Sequence, residues 1–82
     1  MYFVYIIYSF KFGKKYVGFT SDLNKRLKEH NAGYTKSTKS FIPWKVVYFE
    51  RFSTRSEARR REKYFKSAAG RKYIKRNVNL AS

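Results

Sequence analysis

The chain has 82 residues, with twenty Lys and Arg against five Asp and Glu, a formal net charge of +15 and no cysteine. A chain of this size holds one domain. The absent cysteine excludes disulfides, thiolate metal sites and a cysteine nucleophile, leaving one histidine and five carboxylates as metal ligands. Eight Phe, eight Tyr and one Trp interleaved with the basic residues argue against a disordered basic tail and for a folded domain whose partner is a polyanion.

No apolar run reaches the roughly 18 residues of a membrane span, and no secretory leader is visible, so a cytoplasmic location without membrane association is expected. From Tyr2 to Tyr8, "YFVYIIY" is apolar or aromatic at every position and reads as a strand covered on both faces, which suits a central place in a sheet. "SFKFGKK" supplies a glycine-containing turn and "KYVGFT" a second strand, so a hairpin is the economical connection. Ser21 or Asp22 caps a short helix over "DLNKRLKEHN", ended by Gly33, with Leu23 and Leu27 on its buried stripe. Arg26 and His30 flank that stripe.

The Ser/Thr/Lys-rich "YTKSTKSFIP" reads as a mobile basic surface loop that offers Lys36 and Lys39 to backbone phosphates. Trp44 to Phe52 forms a third strand. "STRSEARRREKYFKSAAG" forms one helix with Thr54 and Glu57 in capping-box spacing and Gly70 at its end. On that helix Ala58, Glu62, Phe65 and Ala69 share a face, which places a carboxylate in an apolar stripe, while Arg59, Lys63 and Lys66 form a solvated, phosphate-facing surface. The expected architecture is a single α/β (α+β) domain over residues 1–82, with a three-stranded antiparallel sheet flanked by helices in the order β-β-α-β-α. Its core spans about residues 2–70, followed by a basic tail over 71–82.

Tyrosines on both hairpin strands, Arg26 and His30 on the next helix and Glu62 on the last long helix stand in an order and spacing that resemble the GIY-YIG nuclease superfamily. Its small stand-alone members, similar to the N-terminal nuclease domain of the bacterial excision-repair incision subunit, are the nearest likeness, covering Tyr2 to about Lys66. The first signature tyrosine falls on Tyr5 in "FVY" and the second motif on "YVG", Tyr16 to Gly18. The family's arginine falls on Arg26, ten residues past Tyr16, and its histidine or tyrosine one turn on falls on His30. Its metal-binding glutamate falls on Glu62. The chain departs from the pattern at Phe3, where the motif has glycine, at Val4 and Val17 for isoleucine, and at Phe19, where some members carry lysine.

The resemblance implies divalent-metal-dependent endonucleolytic hydrolysis of DNA, including branched or damaged DNA, with Tyr5, Tyr16, Arg26, His30 and Glu62 as catalytic residues. Glu62 anchors Mg²⁺ or Mn²⁺ in that scheme, retaining waters. Arg26 holds a nonbridging phosphate oxygen, His30 shuttles a proton or bonds the phosphate, and the two phenols position or deprotonate water. Taken singly, each residue has a structural reading, and for Glu62 it is an ion pair with Lys66 or a buried arginine. A non-catalytic module binding DNA or structured RNA by the same basic face is the rival expectation. A protein-interaction role for the exposed aromatics is the third, and a protein partner that supplies specificity is compatible with the nuclease reading.

Overall fold

The computed structural model describes residues 1–80, so the end of the expected tail, 81–82, lies outside the described residues. The elements are β1 (Tyr2–Ser9), β2 (Lys14–Thr20), α1 (Leu23–Asn31), a 3₁₀ turn (Lys39–Phe41), β3 (Lys45–Phe52), α2 (Arg55–Phe65) and α3 (Ala68–Asn77). The sheet is antiparallel in the order β2-β1-β3, which puts the strand with two apolar faces in the centre. Among the described residues no helix is long and apolar enough to cross a membrane.

Alternation along β1 divides the core in two. Val4 and Ile6 point to one side, where they pack with Val17, Ala58, Phe65, Ile74 and Val78 under α2 and α3. Tyr5 and Ile7 point to the other, where they meet Trp44, Leu23 and Leu27 under α1 and the 3₁₀ turn. β3 serves both sides through a bulge. Ile6 pairs with Tyr48 and Ile7 with Val46, so one extra β3 residue restores the inward direction where the packing changes.

The helix starts follow from their caps. Asp22 accepts from Lys25 N at 3.1 Å and Thr54 from Glu57 N at 3.2 Å, each satisfying one amide that the helix leaves free. Gly33, at φ 83°, turns the chain away after α1.

Two expectations are corrected. The last helix is not continuous to Gly70, and the expected basic tail over 71–82 is helical as far as Asn77. α2 ends at Phe65, and Ser67 caps a separate α3 by accepting from Gly70 N at 3.2 Å. Gly70 lies inside α3, where a Cβ would run into the Tyr64 carbonyl, so its role is close packing of α3 on the end of α2 and not termination. Ala69 is exposed on α3 and does not extend the α2 stripe.

The Ser/Thr/Lys-rich segment is likewise anchored where a mobile loop was expected. Asn31 brackets the Trp44 backbone, accepting from its N–H at 2.7 Å and donating to its carbonyl at 3.1 Å. The Trp44 indole donates to Thr38 O at 2.8 Å, and both Trp44 and Thr38 are buried.

Between α2, β3 and α3, Arg61 donates to both Glu50 carboxylate oxygens at 2.8 and 3.2 Å. Its guanidinium also lies 4.7, 4.6 and 5.1 Å from the ring centres of Tyr64, Phe65 and Tyr73. This cation, embedded in aromatic faces, ties α3 to the sheet.

Candidate active site

Register decides whether the hairpin tyrosines meet, because a slip of one residue turns a side chain to the opposite face. Tyr5 stands opposite Gly18 and Ile7 opposite Tyr16, so the two phenols are diagonal neighbours on one face, their ring centres 6.5 Å apart. Gly18 makes room between them. A Cβ there would lie 2.6 Å from the Tyr5 hydroxyl oxygen and 3.1 Å from Tyr16 Cε2.

α1 lowers His30 onto this pair. Its Nε2 is 2.9 Å from the Tyr5 hydroxyl and its ring centre 5.1 Å from that of Tyr16. On the other side Nδ1 is 2.8 Å from Thr38 Oγ1, and Thr38 donates its own proton to Thr35 O at 3.4 Å. With that hydroxyl proton committed, Thr38 accepts from Nδ1–H, which leaves Nε2 to accept from Tyr5 O–H; the tautomer is assigned from this network. The proton chain runs Tyr5 to His30 to Thr38 to Thr35.

Charge follows from burial. His30 is wholly enclosed, and desolvation, reinforced by the charge of Arg26, pushes its pKa down to about 4, so it is neutral at pH 7. Burial pushes the Tyr5 phenol up to about 12, against a hydrogen bond from Arg26 that works to lower it. Burial works to lower the pKa of Arg26, but its hydrogen bonds to Glu29 and Tyr5 outweigh this and raise it. The Arg26–Glu29 ion pair measures 3.1 Å.

Tyr16 stands on the edge strand β2. From α2, Lys66 Nζ stands 5.9 Å from the Tyr16 ring centre, and the Glu62 charge is felt at Tyr5. Glu62 is 6 % exposed and accepts from Arg59 at 2.5 Å and from Lys66 at 2.8 Å. Burial works to raise its carboxyl, but the Lys66 and Arg59 hydrogen bonds outweigh this and hold it below the usual carboxylate range.

The fold therefore gathers Tyr5, Tyr16, Arg26, His30 and Glu62, with Lys66 and Arg59 at the carboxylate. Lys63 is exposed on α2 and, with Arg55, Arg59 and Arg60, lines a shallow cavity of about 210 Å³. Lys36 and Lys39 are exposed on the anchored segment after α1. Thr38 was not foreseen, since a threonine in a polar loop carries no periodic signal. The neighbouring Trp44, costly to leave in water, was the clue that the loop is held.

Among the described residues no group of three or more His, Cys, Asp or Glu stands together as a ready metal cage. A single carboxylate still suits Mg²⁺ that keeps most of its waters and shares a phosphate oxygen of the nucleic acid. The cations paired with Glu62 are about half exposed, 51 % for Arg59 and 50 % for Lys66. The donor set fits that metal.

The three-stranded α+β domain thus carries paired phenols on its hairpin, an arginine and a neutral histidine on α1 and a buried glutamate on α2. The sequence matches the family model described as the GIY-YIG catalytic domain over residues 1–77, and the chain belongs to that family. It is 52 % identical over 52 residues to UPF0213 protein lwe0147 of Listeria welshimeri, covering 62 % of this chain and 58 % of that protein. It is 43 % identical over 68 residues to UPF0213 protein YazA of Bacillus subtilis, covering 78 % of this chain and 69 % of that one. The chain thus spans less than two thirds of the Listeria relative's length. The solution NMR structure of UPF0213 protein BH0048 from Bacillus halodurans superposes with a TM-score of 0.54 at 34 % identity, covering 92 % of this chain and 81 % of that one.

Proposed function

We propose that the chain is a divalent-metal-dependent endonuclease that hydrolyses phosphodiester bonds in DNA. The observation that carries this reading is the convergence of Tyr5, Tyr16, Arg26 and His30 with Glu62 at one edge of a strongly basic domain. Mg²⁺ or Mn²⁺ held by Glu62 supplies Lewis-acid stabilisation of charge on the phosphoryl oxygens and lowers the pKa of bound water.

The chain's own residues divide the remaining work. Arg26 presents a permanently charged fork to a nonbridging oxygen. Tyr5 is 2 % exposed, its phenol is raised to about 12, and its proton is directed at His30, so it acts as a fixed donor that orients its neighbours and not as a base. Tyr16 lines an open cavity of about 230 Å³ with Lys15, Lys66 and Arg71, which makes it the tyrosine able to face an attacking water. Neutral His30 receives the Tyr5 proton's hydrogen bond and, through Nδ1–H, is held in place by Thr38. Lys66 and Arg59 move from Glu62 to phosphate when the polyanion arrives.

The test is incubation with labelled duplex, flap, junction and single-stranded DNA and structured RNA in Mg²⁺, Mn²⁺ or chelator, beside Glu62→Gln. The expected result is metal-dependent DNA cutting by the native chain alone, with binding retained in the variant. One observation favours a second reading, a non-catalytic DNA- or structured-RNA-binding module: Glu62 is already satisfied by two cations. Binding without cutting across the panel selects that reading.

A further inference from the structure

The turn between β1 and β2 carries a surface that the proposed chemistry leaves unused. At its tip Phe10 and Phe12 are 38 % and 45 % exposed, although rings of this size are ordinarily drawn into a core. Lysines stand near both rings, and Phe10 also packs edge-on to Tyr8. Lys11 Nζ lies 5.4 Å from the Phe12 ring centre, and Phe12 stands edge-on to Phe41 at 5.7 Å, with Lys14 Nζ 5.5 Å from Phe41. Phe10 lines a cavity of about 340 Å³ together with Lys11, Pro43 and Lys45. No carboxylate occurs between residues 9 and 21 or between 30 and 49, the two segments that build this surface.

Exposed aromatic faces set among lysines, with no anion near, match the chemistry of an unpaired nucleic-acid strand, whose bases stack on rings while its phosphates meet the cations. A continuous duplex offers no free base faces and engages only the charges. Position adds a second reason. β2 leaves the turn at Lys14 and reaches Tyr16 within two residues, so Phe12 is at most about 14 Å from Tyr16 along the chain. Lys15 lines the same cavity as Tyr16, which joins the turn to the site by a basic path.

We propose that the β1–β2 turn is a stacking platform for unpaired nucleotides of DNA, so that the chain engages strands with a single-stranded stretch beside the phosphate at Tyr16. The placement beside a scissile phosphate rests on the nuclease reading above; the platform itself does not. Its test is binding of a 2-aminopurine-labelled single-stranded DNA 12-mer and of a blunt duplex, both in chelator, by the native chain and by Phe10→Ala/Phe12→Ala. Loss of at least about tenfold in single-strand affinity is expected, with duplex affinity changed less than about twofold and the salt slope unaltered. The native chain should also change the 2-aminopurine fluorescence, and Phe12→Trp, which keeps a stacking face, should retain the affinity.

Equal losses for both DNAs overturn the platform. So does no loss for either, which would assign the exposed rings to a protein partner, or an RNA 12-mer bound tenfold more tightly than the DNA. Cleavage in Mg²⁺ is scored separately. A native chain that stacks the probe but never cuts refutes the nuclease and leaves the platform standing, whereas cutting with an unaltered single-strand affinity in the variant does the reverse.

Discussion

Replacing Gly18 with alanine puts a methyl group where Tyr5 keeps its hydroxyl. The new Cβ falls 2.6 Å from the Tyr5 oxygen and 2.8 Å from Cζ. Comfortable contact begins near about 3.5 Å, so the phenol must retreat by about 0.9 Å. It has little freedom to do so, being buried and bonded to His30 at 2.9 Å. Lengthening that bond by more than about 0.6 Å ends it, and shortening it by half as much brings the atoms into repulsion. Overpacking costs about 1–3 kcal/mol, and leaving His30 Nε2 buried without its donor about 1–3 kcal/mol more. The expected loss of roughly 2–6 kcal/mol is a large share of the stability of a domain this small. Urea denaturation followed by Trp44 fluorescence measures it, and a displacement of this size should lower cleavage by about a hundredfold. The decisive comparison is Tyr5→Phe/Gly18→Ala. Removing the hydroxyl relieves the closest contact, so the double variant should be more stable than Gly18→Ala alone. Equal stability of native chain and Gly18→Ala, or strictly additive losses in the double variant, would refute the reasoning.

His30 gives a pH prediction whose sign is fixed by its depressed pKa of about 4 against about 6.5 in the unfolded chain. Between those values the unfolded chain holds a proton that the folded chain refuses, so stability is complete above pH 6.5 and falls as pH drops toward 4. From pH 6.5 to 5 the loss amounts to about 2 kcal/mol, in a window that the carboxylates of Glu50 and Glu62, held below their usual range, do not enter. His30→Gln should flatten the urea midpoint over this window, and parallel slopes in the two proteins would remove His30 as the cause. By the same token cleavage should show no limb near pH 6.5 arising from His30. Arg61→Ala, which empties the space among Tyr64, Phe65 and Tyr73 and unpairs Glu50, should cost about 2 kcal/mol in thermal or urea unfolding. Its nucleic-acid affinity per folded molecule should be unchanged, and a loss of binding without a loss of stability would contradict the structural role.

Much of this was readable because periodicity speaks for buried elements. The doubly apolar β1, the capped α1 with Arg26 and His30 one turn apart, and Glu62 in a stripe with Ala58 and Phe65 all follow from side-chain direction alone. The break at Lys66–Ser67 did not, because Gly70 looks like a terminator in sequence, whereas here it allows two helix ends to touch. Ser67, three residues before Gly70, was the overlooked start signal. The ties from Thr38 to His30 and Trp44 join residues separated along the chain through a polar segment, and no local pattern encodes such bonds. Glu62 was legible as a buried charge, but its partners were only half foreseen: Lys66 was named, whereas the second cation is the half-exposed Arg59 and not a buried arginine.

The central strand also separates two interiors of unlike character. Beneath α2 and α3 the larger core cluster is aliphatic and aromatic, with Glu62 and Arg61 held in ion pairs at its margin, while the smaller cluster beneath α1 adjoins enclosed His30 and Thr38, held by hydrogen bonds that water can replace. The side with the smaller apolar cluster opens at lower free energy. Warming should thus loosen α1 and the Thr38 segment while the α2–α3 half still stands. Loss of the proposed cleavage then becomes a local, reversible event, and survival of the native spectrum beyond it marks an intact scaffold with its α1 side ajar.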